Sequence, residues 1–136
     1  VWPMAAMALF AAAWAAALGA REVNRRGGVP AARALCLAGA VLSAAACAAA
    51  LAGPWTTGMD PTAHVYPAIV WILAIWTAAH GAVGALMLLY CLARSLAGRL
   101  TPQHDMDLHN VALYWHFMLV TAVIAFGVIG LFPEAL

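Results

Sequence analysis

Long apolar runs separated by three short polar segments dominate the sequence. A helix rises about 1.5 Å per residue and the hydrocarbon core of a bilayer is about 30 Å thick, so each run is long enough to cross it. Because lipid offers the backbone no hydrogen-bond partners, the runs must be helices and not strands. The pattern predicts an all-α integral membrane bundle that forms a single domain. Its four transmembrane helices should lie at about 2–20, 31–52, 65–97 and 109–132.

The composition agrees with a membrane protein and excludes some functions. Of 136 residues, 67% are hydrophobic and 8% are charged, whereas a soluble domain carries about 25% charged residues. The net charge of +1 provides no basic surface for nucleic acid. No basic stretch precedes the first apolar run after Val1, which argues against a signal peptide. We expect the chain to be a piece of a longer polypeptide.

The distribution of arginine predicts the orientation in the membrane. The first polar segment, 21–30, contains three arginines and Arg33 follows it, and the third, 94–108, contains two. The second segment, 53–64, contains none. Loops rich in Arg face the cytoplasm, so both termini are expected on the outer (periplasmic) side.

The ends of the last two helices carry charged residues with expected roles. Arg94 and Arg99 follow the third apolar run, where long cationic side chains reach lipid phosphates. We therefore expect both to bind anionic lipid headgroups. Asp107 is expected to cap the N-terminus of the fourth helix, because a carboxylate there accepts hydrogen bonds from free backbone N–H groups.

Small residues on the second helix have two interpretations. Gly39, Ser43 and Cys47 recur every fourth position, a spacing that lets helix backbones approach closely. In so alanine-rich a chain the spacing can also arise by chance, and we favour chance here. Cys36, Cys47 and Cys91 form no CxxC or Cys/His group, so we expect small buried apolar side chains, with no zinc site or disulfide.

The histidines inside the spans are the strongest candidates for chemistry, since all five carboxylates lie in loops or at ends. His80 is about 21 Å along its helix from Arg94, and His116 is about 13 Å from Asp107. One interpretation makes them packing residues that hydrogen-bond each other or nearby Thr77, Tyr114 or Thr121. The other makes them the two axial ligands of a b-type haem. We favour packing, and we identify no catalytic residue and no metal site.

The stretch from Asp60 to Phe132 resembles the last two helices of cytochrome c oxidase subunit III, in the haem–copper oxidase superfamily. That family opens its penultimate helix with tyrosine, places histidine fourteen residues later and glycine four residues after that. Its last helix carries a Tyr-Trp-His-Phe signature. The matching residues, all in the family's spacing, are Tyr66, His80, Gly84, Tyr114, Trp115, His116 and Phe117. The family's basic residue near the end of the penultimate helix is matched by Arg94.

The resemblance covers about half of the chain, and the sequence departs from the family at several positions. Thr77 stands where the family often has a second histidine, and His109 stands where it has an acidic residue. The family's acidic residue in an early helix has no counterpart, and the first two helices carry no motif. The lead-in from Asp60 to His64 resembles the type in which subunits I and III are fused.

The resemblance implies a non-catalytic membrane part of a terminal oxidase that buttresses the catalytic subunit and binds phospholipid. The complex would be an enzyme of the bacterial inner membrane that passes electrons from cytochrome c to oxygen and translocates protons. Its haem and copper would lie in subunit I, possibly fused upstream, and in subunit II, with no cofactor in this chain. Two alternatives stay open: a free-standing four-helix b-type cytochrome with His80 and His116 as ligands, and a purely structural or assembly protein.

Overall fold

Four helices account for nearly all of the structure, a computed structural model that describes residues 2–135, with side chains over 2–130. Each helix is long and apolar enough to span a membrane. Over the described residues there is no β-strand. The prediction of an all-α, multi-pass bundle of four transmembrane helices is therefore confirmed. The helices are α1 (Trp2–Arg25), α2 (Val29–Thr56), α3 (Val65–Leu96) and α4 (Met106–Ala135).

The helices form a ring in which α4 lies between α1 and α3, and α2 packs against the same two helices from the other side. The arginine-bearing connections meet at one end of this ring. Asn24 Nδ2 donates a hydrogen bond to the carbonyl of Thr101 at 3.3 Å. Arg33 donates to the hydroxyl of Ser95 at 2.9 Å and to its carbonyl at 2.7 Å. All six arginines of the chain therefore lie at this end, which we call the arginine end.

The first three helices each end just before a glycine, and some of them are longer than the apolar runs of the sequence. Gly27, Gly58 and Gly98 have φ angles of 85°, 69° and 73°, a region that side chains disfavour. The residue after each glycine donates its N–H to a carbonyl five positions earlier, at 2.9–3.0 Å. Hydropathy marks the part of a helix that lies in lipid, whereas these glycines mark where the helix stops. α1 thus continues through Arg25 into the polar segment.

At the centre of the bundle, the ring of a phenylalanine from α1 packs against a glycine of α3. Phe10 on α1 is fully buried. A Cβ at Gly81 would lie 2.7 Å from Phe10 Cε1 and 2.8 Å from Cys47 Sγ. The phenyl ring therefore occupies the space that a side chain at position 81 would need.

The small residues on α2 form the contact with α3. The Ser43 hydroxyl donates to the carbonyl of Gly81 at 2.8 Å, and the Cys47 thiol donates to the carbonyl of Ala78 at 3.3 Å. A Cβ at Gly39 would lie 2.9 Å from the side chain of Leu88. Ser43 and Cys47 thus face α3, and Gly39 lies against both Leu88 of α3 and Ala16 of α1. The spacing, which we favoured as chance, coincides with a helix contact.

Candidate functional site

Residues of the oxidase-like signature meet where α3 packs against α4. The Tyr114 hydroxyl donates a 2.6 Å hydrogen bond to the backbone carbonyl of His80. One turn further along α3, a Cβ at Gly84 would lie 2.8 Å from Trp115 Cζ2 and 3.2 Å from Tyr114 Cε1. Glycine at this position therefore makes room for two aromatic rings of the neighbouring helix.

The four consecutive signature residues point in four directions, because each residue of a helix is rotated by about 100° from the last. Trp115 points into the bundle and is fully buried, whereas the side chain of Phe117 is 50% exposed. The Phe117 ring centroid lies 6.2 Å from that of His80. Tyr114 faces α3, which leaves His116 to face the remaining neighbour, α1.

A second hydrogen bond joins the same two helices toward the opposite end of the bundle. The Tyr66 hydroxyl, in the first turn of α3, donates to the carbonyl of Ile129 on α4 at 2.9 Å. Together with the bond from Tyr114, it fixes how far one helix can slide along the other. Tyr66 and Tyr114 thus act on the same helix pair.

His80 uses its side chain within its own helix. Its Nδ1 lies 2.7 Å from the carbonyl of Trp76, and the centroids of the two rings are 4.3 Å apart. A carbonyl can only accept a hydrogen bond, so Nδ1 carries the proton and Nε2 presents a lone pair. The contact between His80 and α4 is therefore made by its backbone carbonyl and by ring packing.

His116 turns toward α1. The indole N–H of Trp14 donates to His116 Nδ1 at 3.1 Å, with ring centroids 6.0 Å apart. In the described part of the chain, neither histidine bonds the other, and neither bonds Thr77 or Thr121 through its ring. The predicted hydrogen bonds between α3 and α4 through these rings are thus replaced by one bond within α3 and one bond to α1.

The pair of histidines does not fit the two axial ligands of a haem. A ligating imidazole offers a nitrogen lone pair to the iron and commonly donates its other N–H to a carbonyl or carboxylate. His80 has this form, with Nδ1 bonded to a carbonyl. His116 has the opposite form, because Nδ1 accepts from Trp14 and the neutral ring must then carry its proton on Nε2.

Arg94 contacts α4 and its own helix at the arginine end. Its Nε lies 2.6 Å from Asp107 Oδ2, although the angle is too poor for a hydrogen bond. The guanidinium also contacts the Tyr90 hydroxyl at 3.4 Å and lies 5.8 Å from the centroid of that ring. α4 begins at Met106, so the prediction of Asp107 as its N-cap is wrong. Asp107 sits inside the first turn and forms an ion pair.

An apolar groove at the end opposite the arginines was not predicted. It has a volume of about 730 Å³ and is lined by Trp55, Met59, Trp71 and Ile75 among others. The Trp71 indole donates to the carbonyl of Met59 at 2.8 Å, which fastens the α2–α3 connection over α3. Trp55 and Trp71 were the available signal in the sequence, but their spacing does not show that the two rings line one groove.

Asp60 lies at the rim of this groove and organises the turn that leads into α3. Its Oδ1 accepts hydrogen bonds from the N–H of Thr62 at 2.9 Å and from its hydroxyl at 2.7 Å. Both bonds favour the charged carboxylate and hold the pKa of Asp60 below its ordinary value. The rim of the groove therefore carries a negative charge at neutral pH.

Comparison of the sequence with protein families and with curated proteins finds no match. A bundle of four membrane-spanning helices accommodates many functions. A functional assignment must therefore rest on the α3–α4 contact and on the signature residues that form it.

Proposed function

We propose that this chain is a subunit III-like, non-catalytic membrane part of an aerobic terminal oxidase, a cytochrome c oxidase. In this role it buttresses the catalytic subunit and binds lipid, while the complex reduces oxygen and translocates protons. The observation that carries the proposal is the contact made by the signature residues. Tyr114 reaches the His80 carbonyl at 2.6 Å, and Gly84 accommodates Trp115.

This contact makes the spaced motif a physical unit. His80 and Tyr114 are 34 residues apart in sequence, yet the Tyr114 hydroxyl bonds the His80 backbone, and Gly84 leaves room for the Trp115 ring. Two of the four signature residues thus meet the matched positions of α3, whereas His116 bonds Trp14 on α1. The contacts are those of packing and not of catalysis, which suits a supporting subunit.

The proposal includes a location and partners. The chain lies in a bacterial inner membrane with the arginine end in the cytoplasm, which puts both termini on the periplasmic side. Subunit I, fused upstream or separate, and subunit II carry the haem and copper, with cytochrome c as electron donor. Phospholipids surround the bundle, and nucleic acid is not a partner.

The composition of the native complex tests this proposal. After gentle detergent extraction, intact-mass and metal analysis should find the chain with haem- and copper-bearing subunits, or within one polypeptide that includes them. The chain expressed alone should show no reduced haem α-band. A haem band from the isolated chain would instead support a b-type cytochrome, and a complex free of copper and haem would support an assembly or structural protein.

Within this proposal, Arg99 should hold anionic lipid more tightly than Arg94 does. The Arg99 side chain is exposed and makes no ion pair or hydrogen bond to the described residues, whereas Asp107 partly neutralises Arg94. A free arginine near the surface is worth about 1 kcal/mol toward anionic lipid, or roughly a five-fold change in affinity. Native mass spectrometry should show a larger loss of bound cardiolipin in Arg99→Gln than in Arg94→Gln. Equal losses, or none, would contradict this assignment.

A further inference from the structure

We propose that the outward surface of α1 and α4 around Trp14 and His116 binds a further transmembrane helix, from outside these 136 residues, that offers a hydrogen-bond acceptor to His116 Nε2. The proposal concerns an interaction surface and does not depend on the oxidase assignment.

The Trp14–His116 bond determines which imidazole nitrogen carries the proton. An indole N–H can only donate, so the 3.1 Å bond from Trp14 makes Nδ1 of His116 the acceptor. A neutral imidazole has a single N–H, which must then be on Nε2. The His116 side chain is exposed at the bundle surface, and no described residue accepts a hydrogen bond from Nε2.

The depth of His116 makes this free donor costly. Asp107 pairs with Arg94 at the arginine end, and His116 lies nine residues further along α4, about 13 Å deeper. Acyl chains at that depth accept no hydrogen bond, and an unsatisfied polar group there costs several kcal/mol. The imidazole is also too short to reach the headgroups in the way that arginine does. An acceptor from another helix removes this cost.

The face of α4 that carries His116 is open to a further helix. Val120 and Val123 lie one and two turns further along this face, and their side chains are exposed by 58% and 48%. A partner helix can therefore pack on the two valines while it offers an acceptor to His116. The exposed alanines Ala5 and Ala8 of α1 do not belong to this surface, because they are turned about 180° and 120° away from Trp14.

A second copy of this chain is a poor occupant of the surface. Two copies related by a two-fold axis present the same residues to each other. Near that axis one His116 Nε2–H would face another, so two donors would meet without an acceptor. The fitting partner is a different helix, with a hydroxyl, amide or carboxylate oxygen, or a backbone carbonyl left free by glycine or proline, at the depth of His116.

Photo-cross-linking in native membranes tests the surface without altering His116. A small diazirine amino acid is placed at Val120 on α4, one turn from His116, and, as a matched control, at Leu86 on α3; the two side chains are exposed by 58% and 64%. Tandem mass spectrometry then identifies the joined peptides. Val120 should yield one dominant transmembrane peptide from outside residues 1–136, and Leu86 should yield lipid adducts. Cross-links from Val120 to lipid alone, or to a second copy of this chain, would overturn the proposal.

Substitutions at His116 test the hydrogen bond. Phenylalanine keeps a ring but cannot donate, whereas glutamine can accept from Trp14 and donate outward. Retention of the cross-linked partner through purification should fall about three- to ten-fold in His116→Phe, the range for one hydrogen bond between membrane helices, and should recover in His116→Gln. In Trp14→Phe, which removes only the inner bond, retention should stay near that of the unaltered protein. Equal retention in His116→Phe and His116→Gln would refute the acceptor.

The two proposals fail separately. A cross-linked helix from a complex without haem and copper would refute the oxidase assignment and leave this surface in place. A haem- and copper-bearing complex in which Val120 contacts only lipid would refute the surface and leave the oxidase assignment. If His116→Phe does not fold, the cross-linking of the unaltered histidine protein still decides.

Discussion

Replacing Trp115 with alanine is expected to lower the free energy of unfolding of the bundle by about 3 kcal/mol. Trp115 is the largest of the fully buried side chains, and it packs over Gly84. Transfer of the ring out of water contributes little to this cost, because the unpacked helices in a membrane are surrounded by lipid and not by water. The cost comes from the cavity and from the van der Waals contacts that no neighbour can restore.

The same signature supplies the control. Phe117 is two residues away and aromatic, but its side chain is 50% exposed, so Phe117→Ala should cost less than about 1 kcal/mol. Trp115→Phe should lower the free energy of unfolding by less than the loss of ring volume suggests. The substitution also removes a buried Nε1–H that has no acceptor among the described residues, and an unpaired buried donor is itself destabilising. Unfolding in mixed detergent micelles, followed by near-UV circular dichroism, measures all three. Equal losses in Trp115→Ala and Phe117→Ala would contradict the packing described for this site.

Replacing Gly81 with alanine is expected to destabilise the bundle by about 1–3 kcal/mol through overpacking. The new Cβ would lie 2.7 Å from Phe10 Cε1 and 2.8 Å from Cys47 Sγ. Phe10 is fully buried, so its ring cannot simply swing aside. Moving α3 outward would also lengthen the bond from Ser43 to the Gly81 carbonyl. The measurement is size-exclusion chromatography after heating. The temperature at which half of the folded protein is lost should be lower in the variant.

Gly127→Ala is the matched control on α4. A Cβ there would meet nothing within 4 Å, and alanine favours a helix over glycine by about 1 kcal/mol, so this variant should be unchanged or more stable. Replacing the opposing Phe10 with the smaller leucine, in the double variant Gly81→Ala and Phe10→Leu, should recover part of the lost stability. Identical melting of Gly81→Ala and Gly127→Ala would show that Phe10 packs against Gly81 less tightly than the distances require.

The number and type of the helices could be predicted because lipid leaves the backbone no alternative. The helix ends could not be predicted from hydropathy, since α1 continues to Arg25 and stops only at Gly27. A helix can extend past the hydrocarbon into water, so the polar residues of the first loop do not end it. The left-handed glycine does, and it is a local backbone signal that an apolar average does not detect.

The pairing of helices limited what could be predicted about the histidines. A short loop between α3 and α4 indicates that they are neighbours, but nothing in the chain order shows that α4 also contacts α1. The Trp14–His116 bond joins residues 102 positions apart, and their side chains meet only once the ring of helices has closed. The α2 spacing of Gly39, Ser43 and Cys47 was visible, but composition alone could not separate a helix contact from chance.

The order of synthesis gives the Ser43 contact a consequence for how the bundle assembles. The turn from Arg26 to Gly28 is so short that α1 and α2 can pair as a hairpin as soon as both have left the ribosome. At that moment Gly81, whose carbonyl Ser43 will contact, has not yet entered the membrane, so the hydroxyl can only bond back to its own helix. When α3 packs against the α1–α2 hairpin, the Ser43 hydroxyl therefore exchanges a hydrogen bond within α2 for the bond to the Gly81 carbonyl.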